Sequence, residues 1–339
     1  MDKEVYTGQS FRYRNDDYGR NQKNAEKISF AQGGKYHIKK SNGYLHKGIR
    51  ERAGLISKLS KEHNIKLLCK VLKVARSTYY SILNHKASGR ETENNILKSK
   101  IFKVYCDNRK VYGCIKITHI LRDEGYPKLS VNRVSRLMKQ LNIRAVTIRK
   151  FKNYRNKQNQ HSELKNLVNQ NFYAQKPNQI WLSDITYIHT VKHGWTYLAS
   201  IMDVCTRKIV GYNYGRKMDR SLVISALKQA WKNQNYPNNV ILHSDRGSQY
   251  TSSEYISSAE RMGFRLSYSK KGCPFDNAPM ESFHSVLKKE EVYLNHYSSF
   301  EEAQIRLFDY INGFYNRNRI HSAINYLSPL HFEKSLFDS

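Results

Sequence analysis

Three carboxylates, Asp184, Asp245 and Glu281, are the side chains in this chain best placed to do chemistry together. The run Val240-Ile-Leu-His-Ser-Asp245 reads as a buried strand that ends at its acid, with Gly247 and Ser248 turning the chain just beyond. Asp184 stands in the middle of a second strand pattern, Ile180-Trp-Leu-Ser-Asp-Ile-Thr-Tyr-Ile188. Glu281 follows Asp245 after thirty-five intervening residues, in the first turn of a helix that opens within D-N-A-P-M-E. Two strands and a helix can bring such acids to one point. A compact trio of anions repels itself and raises its own pKa values unless hard cations neutralise it, so the set implies Mg2+, with Mn2+ as a substitute.

Each acid also has a plainer reading. Asp184 could be one half of a buried salt bridge. Asp245 could start the R-G-S turn. Glu281 could be a favourable charge near a helix N-terminus. Asp203, at the end of a strand before C-T-R, reads as a turn acid rather than a fourth ligand. Lys288 lies two helical turns after Glu281, so the two project from one face and the cation could meet phosphate. Asn277 either orients a ligand or caps the Glu281 helix, and His243 stands beside the acids as a supporting group.

With 28 acidic residues, spacing alone singles out many trios. Context narrows the choice. W-L-S-D-I-T-Y-I (181–188), D-V-C-T-R-K-I-V-G (203–211), H-S-D-R-G-S-Q-Y (243–250), D-N-A-P-M-E-S-F-H-S-V-L-K-K-E (276–290) and N-R-N-R-I-H-S-A-I-N-Y-L-S-P (316–329) occur in this order. Together they resemble the insertion-sequence DDE transposases, of the second-frame (OrfB) type in the IS-three group, whose core is related to retroviral integrases. The resemblance implies an RNase H-like catalytic core, Asp184, Asp245 and Glu281 as metal ligands, and a DNA-positioning role for Lys288. It also implies action on terminal inverted repeats and target DNA by a homo-oligomer that pairs both ends, with an upstream-frame transposase protein as a possible companion. Asn316, Arg319 and His321 match the group's C-terminal signature without a role attached.

Composition sets the frame for these elements. The formal charge is +30 over 339 residues. Residues 1–150 carry 34 Lys/Arg against 12 Asp/Glu, and the remainder 24 against 16, so the cationic excess sits in the first half. Such a field favours a polyanion and leaves the reaction unnamed. Five cysteines without a C-x-x-C pair read as reduced thiols. No apolar run approaches a membrane span and the first thirty residues hold no apolar signal region, so a cytoplasmic, nucleoid-associated protein is expected.

Along the chain, residues 1–50 read as a basic arm. Residues 51–88 read as a helix-turn-helix in which Ser77 caps a short helix presenting Thr78 and Tyr79 to DNA, with a plain helical hairpin as the alternative. A second such unit spans 91–148. There Tyr112-Gly113 opens a helix that stops at Gly125, and Ser130 caps another with Val134, Leu137, Met138 and Leu141 inside. Its outer face shows Asn132, Arg133 and Arg136, residue types that pair with base edges or phosphates. Residues 149–176 read as a basic linker. The core, 177–295, begins with three strand patterns in an antiparallel meander, followed by alternating helix and strand, which predicts an α/β layer with a mixed sheet. Residues 296–339 read as a helical extension opened by the capping box Ser299-Phe-Glu-Glu302, with Leu307, Phe308, Ile311, Phe314 and Tyr315 turned to the core.

The function expected is metal-dependent strand cleavage and 3′-OH strand transfer. An inactive relic that only binds DNA and an RNase H-type nuclease acting on RNA–DNA hybrids are the rivals.

Overall fold

The computed structural model describes residues 48–147, 165–270 and 273–337, so most of the expected N-terminal arm and the first part of the expected linker lie outside the described residues. The chain forms two compact units that divide between Glu91 and Thr92.

The first unit holds three helices, α1 (Ile49–Leu59), α2 (Ile65–Val71) and α3 (Arg76–Leu83). Ala53 and Ile56 from α1 meet Leu68, Cys69, Leu72, Val74 and Tyr79 in one small core. The Asn64 side chain accepts from the Lys66 amide at 2.9 Å and starts α2. Lys73, in the left-handed region at φ 52°, makes the tight turn, and Arg52 Nη1 donates to the Leu72 carbonyl at 3.0 Å across it. The expected cap at Ser77 is not made, because α3 starts two residues earlier, with Ala75 at its N-cap. That rotation puts Tyr79 on the inner face at 3% exposure and leaves Thr78 half-buried, so Tyr79 belongs to the core and not to a DNA-reading surface.

The second unit opens with the body of a long helix, α4 (Gly89–Asp107), which the apolar pattern conceals. Leu97, Ile101, Val104 and Tyr105 form its buried stripe, but Ile96 and Phe102 are half exposed on other faces and blur the period. α5 (Cys114–Asp123) ends before Gly125, whose φ of 99° suits a residue without Cβ. Ser130 Oγ accepts from the Arg133 amide and opens α6 (Val131–Gln140), as expected. Arg133 itself is a correction. Its guanidinium is bound to Glu93 and to Asn94 Oδ1, so it ties α6 to α4 instead of standing free for DNA; Asn132 and Arg136 remain exposed.

The sheet has five strands, β1 (Ile180–Thr190), β2 (Gly194–Asp203), β3 (Ile209–Gly215), β4 (Ile241–Ser244) and β5 (Arg265–Tyr268), in the order β3-β2-β1-β4-β5. The first three form the meander, and β4 and β5 add in parallel beside β1, so the sheet is mixed. Asp219 and Ser252 cap the two helices that join these strands, α7 (Arg220–Asn233) and α8 (Ser253–Arg261). They cover one face, where Trp181, Ala199, Ile201, Val210 and Leu242 are buried.

The opposite face buries Leu182, Ile188, Leu198 and Met202 in a core shared with α4 to α6 and with α9 (Ala278–Leu287) and α10 (Phe300–Phe308). α9 runs on as a π-helical turn at Lys288–Val292, and α10 as another at Asp309–Tyr315, before α11 (Pro329–Ser335). Residues 296–337 are thus built into the main core. Phe308, expected inside, is 61% exposed because the turn beyond α10 aims Tyr310 and Ile311 inward instead. In the capping box, Ser299 Oγ receives the Glu302 amide, while the Glu302 carboxylate returns to Ser298 rather than to the cap residue. The described end of the expected linker is fastened. Leu167 N donates to Ser267 Oγ at 2.9 Å, and Asn166 and Gln170 donate to Asp276.

Candidate active site

The sheet register places the two aspartates. β1 and β4 pair in parallel with Ile180 opposite Ile241, Trp181 opposite Leu242 and Leu182 opposite His243. The same offset carried two residues further sets Asp184 of β1 level with Asp245, just past the end of β4. Burial raises the Asp245 carboxyl above the ordinary carboxylate range and the Asp184 charge adds to the rise, while the Gly247 amide, donating to Asp245 Oδ1 at 2.9 Å, opposes it. The side chain is nevertheless open to solvent, so the neighbouring anion is the cause that persists when water returns.

Glu281 reaches the same place from a helix. Asn277 does not cap α9 with its side chain; its Nδ2 donates to the Ser183 carbonyl at 3.2 Å and pins the start of the helix to the strand beside Asp184. Glu281 follows one turn later, exposed, and its carboxyl is raised by burial and then by Asp184, with His284 pulling it down. Asp184 is therefore the charge that both other acids feel. Its Oδ1 accepts from the Ile185 amide at 2.8 Å, and its Oδ2 lies 3.4 Å from His284 Nδ1.

His284 is the member of this group that the sequence reading passed over. It is buried, one turn after Glu281, with no bonding partner for Nε2, and F-H-S inside a helix gave no sign that the imidazole faces a strand acid. Tyr250 was missed as well: wholly buried behind the acids, it shares a hydrogen bond of 3.0 Å with Ser183 Oγ, and burial together with the Asp184 charge holds its phenol protonated.

The remaining residues divide. Lys288 is half-buried at the point where α9 changes to the π-helical turn. His243 is fully buried with both ring nitrogens on serine hydroxyls, Ser267 at 2.8 Å and Ser269 at 3.0 Å, and burial lowers its pKa to about 4. A neutral ring so engaged joins β4 to β5 and touches neither aspartate. Asp203 is the turn acid expected, taking the Thr206 amide and hydroxyl on one oxygen and the Asn178 amide on the other.

The C-terminal signature also acquires partners. Arg319 Nε and Nη2 each donate to a Glu290 oxygen at 2.8 Å, with both side chains buried, and the Tyr310 hydroxyl adds a third bond at 2.9 Å. Asn316 pairs with both the amide and the carbonyl of Ile209.

Among the described residues, no three His, Cys, Asp or Glu side chains are grouped closely enough to hold a metal ion as they stand. The arrangement is three oxygen-donor acids, two of them open to solvent, with Asp184 the charge that acts on both others. Hard divalent cations are the ligands that such a set can take.

Two family profiles described as integrase core domain match residues 174–274 and 281–337, and one described as HTH-like domain matches 92–151. The chain is 40% identical over 253 residues to the transposase for insertion sequence element IS904 of Lactococcus lactis, covering 74% of this chain and 99% of that one. It is 37% identical over 280 residues to transposase InsF for insertion sequence IS3A of Escherichia coli, covering 82% and 96%. A 31 kDa protein of insertion element IS600 from Shigella sonnei is 38% identical over 267 residues, covering 79% and 97%.

Proposed function

The chain belongs to the IS3 family of insertion-sequence transposases, with an integrase core and an HTH-like domain, and from that premise we propose that it cuts and rejoins DNA at the ends of its element, with Asp184, Asp245 and Glu281 as the catalytic acids. The observation that supports the reading is the parallel register of β1 and β4, along which Asp184 and Asp245 fall level, together with the Asn277 bond that ties the start of the Glu281 helix to the Ser183 carbonyl.

The donors fit Mg2+ in kind: all are carboxylate oxygens, and the Asp184 charge adds to the burial that raises Asp245 and Glu281. Two such ions, when bound, supply a Lewis acid for the scissile phosphate and lower the pKa of an attacking water or 3′-OH. The chain's own residues do the rest. The Gly247 and Ile185 amides orient one oxygen each of Asp245 and Asp184. Asn277 fixes where the Glu281 helix begins, and Lys288, further along that helix, faces phosphate. Element ends and target DNA are the partners, and pairing of two ends calls for a homo-oligomer. An upstream-frame protein is a further partner on this reading. The described residues contain no helix long and apolar enough to cross a membrane.

Strand transfer and DNA binding measured on the wild type and on Asp245→Asn test the reading. Transfer should fall roughly a thousandfold or more, as expected when several kcal/mol of metal-based stabilisation is lost, while binding to duplex DNA persists. Transfer at the wild-type rate in the variant refutes the assignment. Preferential cutting of RNA–DNA hybrid with no joined product would favour the nuclease reading instead.

A further inference from the structure

The first helical unit lies outside the residues that the family profiles match, and its surface carries a site of its own. The geometry points to α3 as a second sequence-reading helix for duplex DNA, with Arg76, Ser77, Tyr80 and Ser81 facing base edges and Lys66 at the start of α2 facing the phosphate backbone.

The argument starts from helix periodicity. Tyr79 and Ile82 turn α3 inward onto Leu68, Leu72 and Val74. The positions opposite, Arg76, Tyr80 and Asn84 at four-residue intervals and Ser77 and Ser81 beside them, are exposed. A side chain that contributes nothing to the core and sits in a row with an arginine, two hydroxyls, a tyrosine and an amide makes a face of hydrogen-bonding groups. Arginine is the side chain able to bond guanine O6 and N7 together, and serine can bond either base partner.

The neighbouring surface supplies the second observation. An open groove runs between the start of α2 and the outer face of α3, carrying Ser60, His63, Lys66, Arg76 and Tyr80. In a helix-turn-helix the second helix enters the major groove by its N-terminal residues while the first crosses the backbone. Arg76 and Ser77 are the N-terminal residues of α3, and Lys66 lies at the corresponding end of α2. Charge agrees with this occupant. From 48 to 91 the chain holds ten Lys/Arg against three Asp/Glu, a density that suits a polyanion. Arg52 does not join the face, since it is spent on the turn carbonyls of Leu72 and Lys73.

This inference rests on the reading of the chain as a DNA transposase, and the test keeps the two apart by working without metal. The full-length chain is titrated in EDTA against two labelled duplexes of equal length, the terminal segment of the element that carries this reading frame and a scrambled version of it. Arg76→Ala and Tyr80→Ala should each reduce the preference for the terminal duplex by about 5- to 150-fold, the range for loss of a good base contact. Lys66→Ala should weaken both duplexes equally and reduce the slope of log affinity against log salt by roughly one. Asp245→Asn should leave the preference between the two duplexes as in the wild type, so a failed catalytic assignment does not touch the result. All three helix positions are at the surface, and circular dichroism of the variants checks that the unit remains folded. Retention of the full end preference by both Arg76→Ala and Tyr80→Ala overturns the proposal, as does loss confined to single-stranded nucleic acid. A wild-type chain that binds neither duplex sinks both this inference and the reading beneath it.

Discussion

Replacing Arg319 by methionine should destabilise the second unit by about 3–5 kcal/mol, the usual result of removing one partner from a buried ion pair. The structure sets where in that range the value falls. Glu290 and Arg319 are 7% and 8% exposed, joined by two bonds of 2.8 Å, and the variant leaves the carboxylate with the Tyr310 hydroxyl as its remaining neutral donor. That bond, and the Lys116 charge nearby, favour the lower half. For a unit of this size each kcal/mol moves the melting temperature by roughly 2–4 °C, so the transition should fall by about 6–16 °C. Scanning calorimetry on the full-length chain measures it. The double variant Glu290→Leu with Arg319→Met should recover most of the loss, because a matched apolar pair incurs no desolvation of charge. A shift below about 2 °C in the single variant, well under the loss expected for a unit of this size, or a double variant as unstable as the single one, would show that the pair is not what holds this region.

Three other outcomes follow from particular contacts. A methyl group on Gly211 would lie 2.5 Å from Ala230 Cβ, 2.6 Å from Ala230 N and 2.7 Å from the Ala226 carbonyl. Gly211→Ala must therefore push α7 off the sheet, at a cost of about 1–3 kcal/mol that an unchanged melting temperature would contradict. Burial, helped by the Arg319 charge and opposed by Glu290, lowers the Lys116 amine from 10.5 to about 7. Between those values the unfolded chain holds a proton that the native one has lost, so stability rises with pH. Because the side chain is only half-buried, the gain from pH 7 to 9 should be about 1–2 kcal/mol, absent in Lys116→Met as measured by urea unfolding at both pH values. His284 sits 3.4 Å from Asp184 on the helix that bears Glu281. His284→Phe should weaken Mg2+ binding roughly 10- to 100-fold by calorimetry, and equal affinity would remove its orienting role.

How far the sequence could be read depended on whether burial left a period behind. The meander from Ile180 to Gly215 is bounded by turn residues and carries apolar runs, so its three strands were visible to within two residues. Ser130 announced the helix it caps, because the cap bond is local. α4 was not visible, since Ile96 and Phe102 fill the faces that should have been polar. Tyr79 was misplaced along with the start of α3, which lies two residues before the expected one; at about 100° per residue that exchanges the inner face for the outer. The strand acids could be singled out, but the parallel register that sets them side by side is a long-range pairing that no window of sequence contains. Nothing in the order Lys-Lys-Glu-Glu at 288–291 marks either acid as buried. Widening of the helix to a π-turn aims both acids inward, Glu290 to Arg319 and Glu291 to Arg109.

The same π-turn explains why the chain needs its last stretch. Asp184 lies on β1 and Asp245 just past the end of β4, two strands paired in parallel, so sheet register relates the two. Glu281 has no such guarantee. Its helix is held at one end by Asn277 on the Ser183 carbonyl and, past the far end, by Glu290 locked to Arg319. Arg319 is in turn placed by Asn316, which pairs with both backbone groups of Ile209 at the start of β3, and by the Tyr112 hydroxyl, which receives the Ile320 amide. The third carboxylate is therefore positioned by residues some forty places further along, themselves anchored on the opposite edge of the sheet and on α5. Loosening that anchor should disturb Glu281 while leaving the aspartate pair intact.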